Sequence, residues 1–155
     1  MSALWLALHF PLLALEAEHG PRPEPRVLVR ANRVLLANPA ARAAGVEAGL
    51  RLGTARALCE TLEVHEARAD QQHQALLREA RQLLALTPQV CPAPPATVLL
   101  EVGGCLKLFG GFKPLLARVD RYRLHCPLTS RLGIGPTPLA AWHLTDPPPL
   151  DAPPE

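Results

Sequence analysis

The chain opens on an apolar stretch, Leu4 to Phe10, that reads as a buried strand. Pro11 follows it. Proline suits the first turn of a helix, so a helix is predicted to open there. GPRPEP at 20–25 is a turn. RVLVRANRVLLAN then reads as a β-hairpin, with Val27, Val29 and Val34 to Leu36 as strand residues around an Ala31-Asn32 turn. In NPAARAAG, Asn38 is placed as an N-cap, Pro39 at the first helical position and Gly45 as the stop. A second short helix is predicted over 53–60, beginning with Thr54 and carrying Ala55 and Leu58, and a brief strand over 63–66.

The clearest helical period lies in residues 70–86. Leu76, Leu77, Ala80, Leu83 and Leu84 share one face, with Gln, Arg and Glu on the other. PQVCPAPPA reads as a Pro-rich connection. TVLLEVGG is a continuous apolar strand of the kind buried on both faces at a sheet's centre. GGFKPLLARVDRY predicts a helix over 112–123, LTSRLGIG a strand, and TPLAAWHL a last helix. After Thr145 the chain becomes DPPPLDAPPE, a composition that predicts an extended, disordered tail. The order of elements describes an α+β sheet domain with a small helical insertion near 38–60. No internal repeat interrupts it.

Composition narrows the function classes. The 155 residues are 48% hydrophobic and 19% charged, enough for one packed core and too apolar for wholesale disorder. No apolar run reaches the ~18 residues of a membrane span. A net charge of +2 gives little bulk attraction for nucleic acid, although arginine supplies 14 of the 16 basic residues. Arginine is the better fork for phosphates and base edges. Aromatic residues, at 4%, are too few for a base-stacking surface.

The acids and thiols are more telling. Asp70, Asp120, Asp146 and Asp151 are the only aspartates; two lie in the Pro-rich tail and two in helical patterns. A two-metal phosphoryl-transfer site needs carboxylates clustered at strand ends, and almost none are on offer. Cys59, Cys91, Cys105 and Cys126 form no CxxC pair. Cys91, Cys105, Cys126 and His125 match no zinc spacing, so separate buried thiols are expected. The apolar N-terminus lacks the basic region of a signal peptide and is broken by His9 and Pro11. The expected location is cytoplasmic.

Three segments together carry a resemblance: LALHFPLLALE at 6–16, NPAARAAGVEAGLRLGTARALCETLEV at 38–64, and TVLLEVGGCLKLFGG at 97–111 followed by GIGPTPLAAW at 133–142. In this order and spacing they resemble the N-terminal region of Y-family (UmuC/DinB-like) translesion DNA polymerases, and within it the catalytically inactive ImuB branch. The resemblance implies a ferredoxin-like palm sheet with helices on one face and a small helical fingers insertion. The implied boundaries are palm over 1–34, fingers over 35–66, palm again over 67–145, and a disordered tail over 146–155. It also implies a chain truncated before the thumb and little finger.

Where active members carry a metal-binding aspartate after the first strand's apolar residues, this chain has Ala7. A second acidic position aligns with His9, and the bulky residue that excludes ribonucleotides aligns with Leu12. The Asp-Glu pair on the later palm hairpin aligns with Ala96 and Thr97, and the strand acid beyond it is kept as Glu101. Of the Tyr and Arg that hold the triphosphate, Pro39 replaces the first and Arg42 keeps the second. The palm lysine aligns with Trp142.

Magnesium is a hard cation that needs anionic oxygens, so these replacements imply no resident metal, no cofactor and no polymerase chemistry. The resemblance then implies an adaptor in DNA repair and damage-induced mutagenesis. Its partners would be damaged DNA or primer-template, held weakly, with no membrane; a partner translesion polymerase and the replication clamp are implied by the family, with the regions that bind them expected to be absent from this chain. Arg33, Arg42, Arg51 and Arg56 are the candidate DNA and nucleotide contacts, with Arg30 beside them. The competing expectations are an active nucleotidyltransferase with atypical metal ligands, or a decayed fragment serving as an interaction domain.

Overall fold

The computed structural model describes residues 3–17 and 20–145. The expected disordered tail at 146–155 lies outside them. In chain order the elements are β1 (Trp5–His9), α1 (Leu13–Glu16), β2 (Arg26–Arg30), β3 (Arg33–Ala37), α2 (Pro39–Ala43), α3 (Leu52–Leu58), β4 (Glu63–Glu66), α4 (Ala69–Leu83), β5 (Val90–Ala93), β6 (Thr97–Glu101), α5 (Leu106–Phe109), α6 (Phe112–His125), β7 (Arg131–Gly135) and α7 (Pro138–His143). They form two compact units, one made of the segments before Leu12 and after Gln72, the other of Leu12–Gln72.

The first unit is built on a four-stranded sheet in the order β5-β6-β1-β7, antiparallel throughout. Its chain path, strand-helix-strand twice over with the last strand beside the first, is the ferredoxin-like arrangement. β6 is an interior strand, and Thr97, Val98, Leu99 and Leu100 are all buried, as its unbroken apolar run requires. Leu6, Leu8 and Phe10 on one face of β1 and Ala7 on the other are wholly buried. β5 is a strand where a connection was expected. It holds Pro92 because it is an edge strand, the place in a sheet where a missing N–H is tolerated.

The glycines of β7 fix where α7 sits. A Cβ on Gly133 would lie 1.9 Å from the Ala141 carbonyl oxygen, and one on Gly135 would lie 2.8 Å from the Ala141 nitrogen. Only glycine lets this helix backbone come down onto the sheet. Thr137 caps α7, its hydroxyl accepting from the Ala140 N–H, and Pro138 takes the first helical position.

The second unit has its own sheet, β3-β2-β4, in which β2 and β4 run parallel. The predicted hairpin is there: Ala31 and Asn32 take φ of 52° and 63°, the left-handed pair of a two-residue turn. The expected palm boundary at 34 cuts this hairpin, because β2 and β3 share their sheet with β4 rather than with β1. Val27, Val29, Val34, Ala41, Val46 and Ala55 form its core. Asn38 is the N-cap it was read to be. Its Oδ1 accepts from the N–H groups of Ala41 (3.0 Å) and Arg26 (2.9 Å), and its Nδ2 donates to the Glu24 carbonyl (2.7 Å).

A degenerate catalytic face and a candidate nucleic-acid interface

Alternation along β1 puts Trp5, Ala7 and His9 on one face of the first unit's sheet. Register brings Leu99 and Gly133 to either side of Ala7, and Thr97 and Arg131 to either side of His9. Ala7, Leu99 and Ala141 of α7 make a closed apolar cluster, with Trp5, Ala93 and Trp142 packed around it. Ala7, which the resemblance sets against a metal-binding aspartate, is therefore dry and has no exposed surface. Trp142, in the lysine position, is part of the same packing.

The remaining degenerate positions are engaged elsewhere. His9 Nδ1 and the Thr97 hydroxyl are 2.8 Å apart across the β1–β6 pair. Ala96 is buried and its carbonyl accepts from the Phe10 N–H. Glu101 is only partly buried and makes no ion pair with Arg118. Its carboxylate accepts the Gly103 N–H at 2.6 Å, and Arg118 lies over the Phe109 ring instead. Glu101 is also four residues from Thr97, ~13 Å along a strand.

A divalent metal does not fit this face. Its donors are one imidazole, one hydroxyl and a carboxylate already tied to a backbone N–H, whereas magnesium demands several anionic oxygens in an octahedron. Among the described residues no group of three or more His, Cys, Asp or Glu side chains could hold a metal. All four cysteines are free. Of the thiols expected to be buried, Cys59 is; Cys91 on the edge strand β5 is exposed, and Cys105 and Cys126 are partly exposed.

The arginines of the second unit divide. Arg33, Arg51 and Arg56 line an open groove of about 810 Å³, together with Ala31, Asn32, Leu52, Gly53 and Thr54. Arg42 is exposed on α2 and is not in that lining. Arg33 reaches the groove because its backbone bridges to Arg51, and its Nη1 donates to the Gly49 carbonyl at 3.0 Å. Alternation and register in the hairpin are what gather these residues; their spacing in sequence does not announce it.

Two further polar contacts were not foreseen. Arg26, nearly buried on β2, donates from Nε to Glu63 at 2.8 Å. That hydrogen bond holds the Glu63 carboxyl below the usual carboxylate range. In the first unit the Tyr122 hydroxyl donates to the buried Glu79 carboxylate, with the Cys126 thiol 3.6 Å from the same oxygen. Burial, followed by the neighbouring Glu79, pushes the Tyr122 hydroxyl far above its ordinary range, and burial raises Cys126. A thiol held protonated in this way is a packing group, not a nucleophile.

Comparison with known proteins agrees with this geometry. A search of curated protein sequences gives no significant match. Among solved structures, the chain is similar to an insertion ternary complex of Dbh DNA polymerase at a TM-score of 0.74 and 19% identity, over 90% of this chain and 44% of that one. It is similar to a post-insertion binary complex of Dbh DNA polymerase at 0.73 and 21%, again over 90% and 44%. DinB from Sulfolobus solfataricus matches at 0.70 and 20%, with the same shares. The chain thus spans less than half the length of these polymerases, and what it shares with them is a fold. Residues 13–146 match the sequence profile of the impB/mucB/samB family. With that match covering most of the chain, this protein belongs to the impB/mucB/samB family and carries a Y-family polymerase-like domain.

Proposed function

We propose that this chain is a non-catalytic member of its family, an ImuB-type adaptor that contributes DNA contact, and not chemistry, to translesion synthesis in the cytoplasm. The first unit is read as the palm and the second as the fingers. The observation that carries the reading is Ala7, wholly buried against Leu99 and Ala141 beneath α7. Phosphoryl transfer is nearly all positioning and charge stabilisation by metal ions. A face with a dry methyl group where the first carboxylate belongs, and an imidazole–hydroxyl pair beside it, supplies neither. The second unit, in contrast, carries Arg42, which the resemblance matches to a family arginine, and Arg33, Arg51 and Arg56 in one groove. Damaged DNA or a primer-template is the ligand they suit. A partner polymerase and the replication clamp are the proteins that the ImuB resemblance implies.

The test is primer extension by the purified chain with magnesium or manganese, alongside a calorimetric titration with manganese. No extension above background and no saturable metal heat are expected. Extension that survives repurification and disappears on Glu101→Ala would overturn the reading and favour a nucleotidyltransferase with atypical ligands.

A further inference from the structure

We infer that the groove between the Ala31-Asn32 turn and α3 grips the phosphodiester backbone of a nucleic-acid strand through Arg33, Arg51 and Arg56. This rests on the DNA-contact half of the proposed function and assigns it to one surface.

The first argument is register. Arg30 stands directly across from Arg33 in the hairpin, and Arg33 bridges to Arg51. Arg33 and Arg51, direct backbone partners, line the groove together with Arg56, so three guanidinium-bearing side chains share its walls. Like charges so placed destabilise a sheet. No carboxylate lines the groove to offset them. Among the described residues neither Arg51 nor Arg56 has an ion pair. The fold therefore carries an unbalanced positive strip whose repulsion a bound polyanion would relieve.

The second argument is shape. Arg33 and Arg51 stand ~4.8 Å apart on neighbouring backbone segments, and Arg56 follows five residues later, ~7 Å along a helix, so the strip runs for ~10 Å. A strip of that length meets successive phosphates along a strand, whereas a single anion would need converging donors. Arg33 is held in place by its bond to Gly49. No aromatic side chain lines the groove, so it has nothing on which to stack bases, and the contact is sequence-indifferent. Arg42 lies outside this surface.

The experiment is fluorescence anisotropy of a labelled oligo-dT 20-mer against the full chain over a series of salt concentrations. Each phosphate contact on a single strand contributes about 0.7 to the slope of log K against log salt. Arg33→Gln, Arg51→Gln and Arg56→Gln combined should lower that slope by about 2, and Arg81→Gln, exposed on α4 in the other unit, should leave it unchanged. The combined variant should melt at the same temperature as the unaltered chain or higher, because repulsion has been removed. If it does not fold, Arg51→Gln and Arg56→Gln singly should each remove about 0.7. Inorganic triphosphate should displace the oligonucleotide only at far higher concentration. An unchanged slope in these variants places the DNA elsewhere and overturns the groove while the adaptor reading stands. Triphosphate binding as tight as the 20-mer's would make this a free-nucleotide site and also overturn it. No oligonucleotide binding by the unaltered chain defeats the groove and the DNA half of the adaptor reading, and leaves the metal result untouched.

Discussion

Putting the first carboxylate back should not restore the site; it should damage the fold. Ala7→Asp adds a carboxylate beyond Cβ at a position with no exposed surface, against Leu99 and Ala141. The room must come from α7, whose backbone already rests on Gly133 and Gly135. Overpacking of this kind costs ~1–3 kcal/mol. The charge adds more. A carboxyl in an apolar site has its pKa raised by several units, and a rise of about 3 units corresponds to about 4 kcal/mol. The folded-state pKa is raised above the unfolded one, so the penalty is full at high pH. It fades as pH falls through the folded value toward the unfolded one. Between pH 8 and pH 5 the gap between variant and parent should narrow by about 2.5 kcal/mol, leaving the packing cost and about 1.5 kcal/mol of the charge penalty. Urea denaturation at the two pH values measures this. Trp5 and Trp142 make a convenient probe, since both pack on the affected cluster. A variant as stable as its parent at pH 8, or one that manganese stabilises, would show that the position opens to water and that α7 is no seal.

Two other substitutions test the packing that frames the candidate surfaces. Asn38→Ala should cost about 2–4 kcal/mol by urea denaturation, because it removes a helix cap and strands the buried N–H groups of Arg26 and Ala41; Asn38→Asp, which keeps the acceptor, should lose less. Gly133→Ala should cost about 3 kcal/mol or more and shift tryptophan emission, since its Cβ cannot coexist with the Ala141 carbonyl at 1.9 Å; wild-type stability and emission would mean that α7 is free to lift.

The fold was legible wherever a local signal had one reading. Asn38-Pro39 and Thr137-Pro138 announce helix starts because cap chemistry is local, and Ala31-Asn32 marks a turn between alternating strands. β5 was not legible. Two of the residues in VCPA and its flank argue for a connection, and only the sheet order, which makes it an edge, admits Pro92. The hairpin's allegiance was also hidden. Nothing in RVLVR says whether β2 will pair with β1 or, across the α2 and α3 crossover, with β4; that choice is made by long-range register. At the site, the loss of carboxylates could be counted along the chain. That Ala7 is sealed, that His9 meets Thr97, and that three of the four candidate arginines share one groove depended on which residues stand opposite one another.

The positions where the resemblance implies lost carboxylates and the candidate DNA-contacting arginines fall in different units. Ala7, His9, Ala96, Thr97 and Glu101 all belong to the sheet formed before Leu12 and after Gln72, while Arg33, Arg42, Arg51 and Arg56 all belong to Leu12–Gln72. This separation matters physically. Metal chemistry is cooperative: removing one ligand weakens the ion's hold on all the others, so the remaining carboxylates no longer improve the site and apolar packing becomes the more stable use of the face. Phosphate contact is close to additive, each arginine adding its own share of counterion release. A domain can therefore lose its catalytic face in full and keep most of its grip. Arg33 and Arg51 are direct backbone partners, and with Arg56 they line a groove in which no acid stands between them. Salt ions screen such an exposed concentration of positive charge in the free chain, and on the proposed reading a polyanionic strand would displace those ions and take their place.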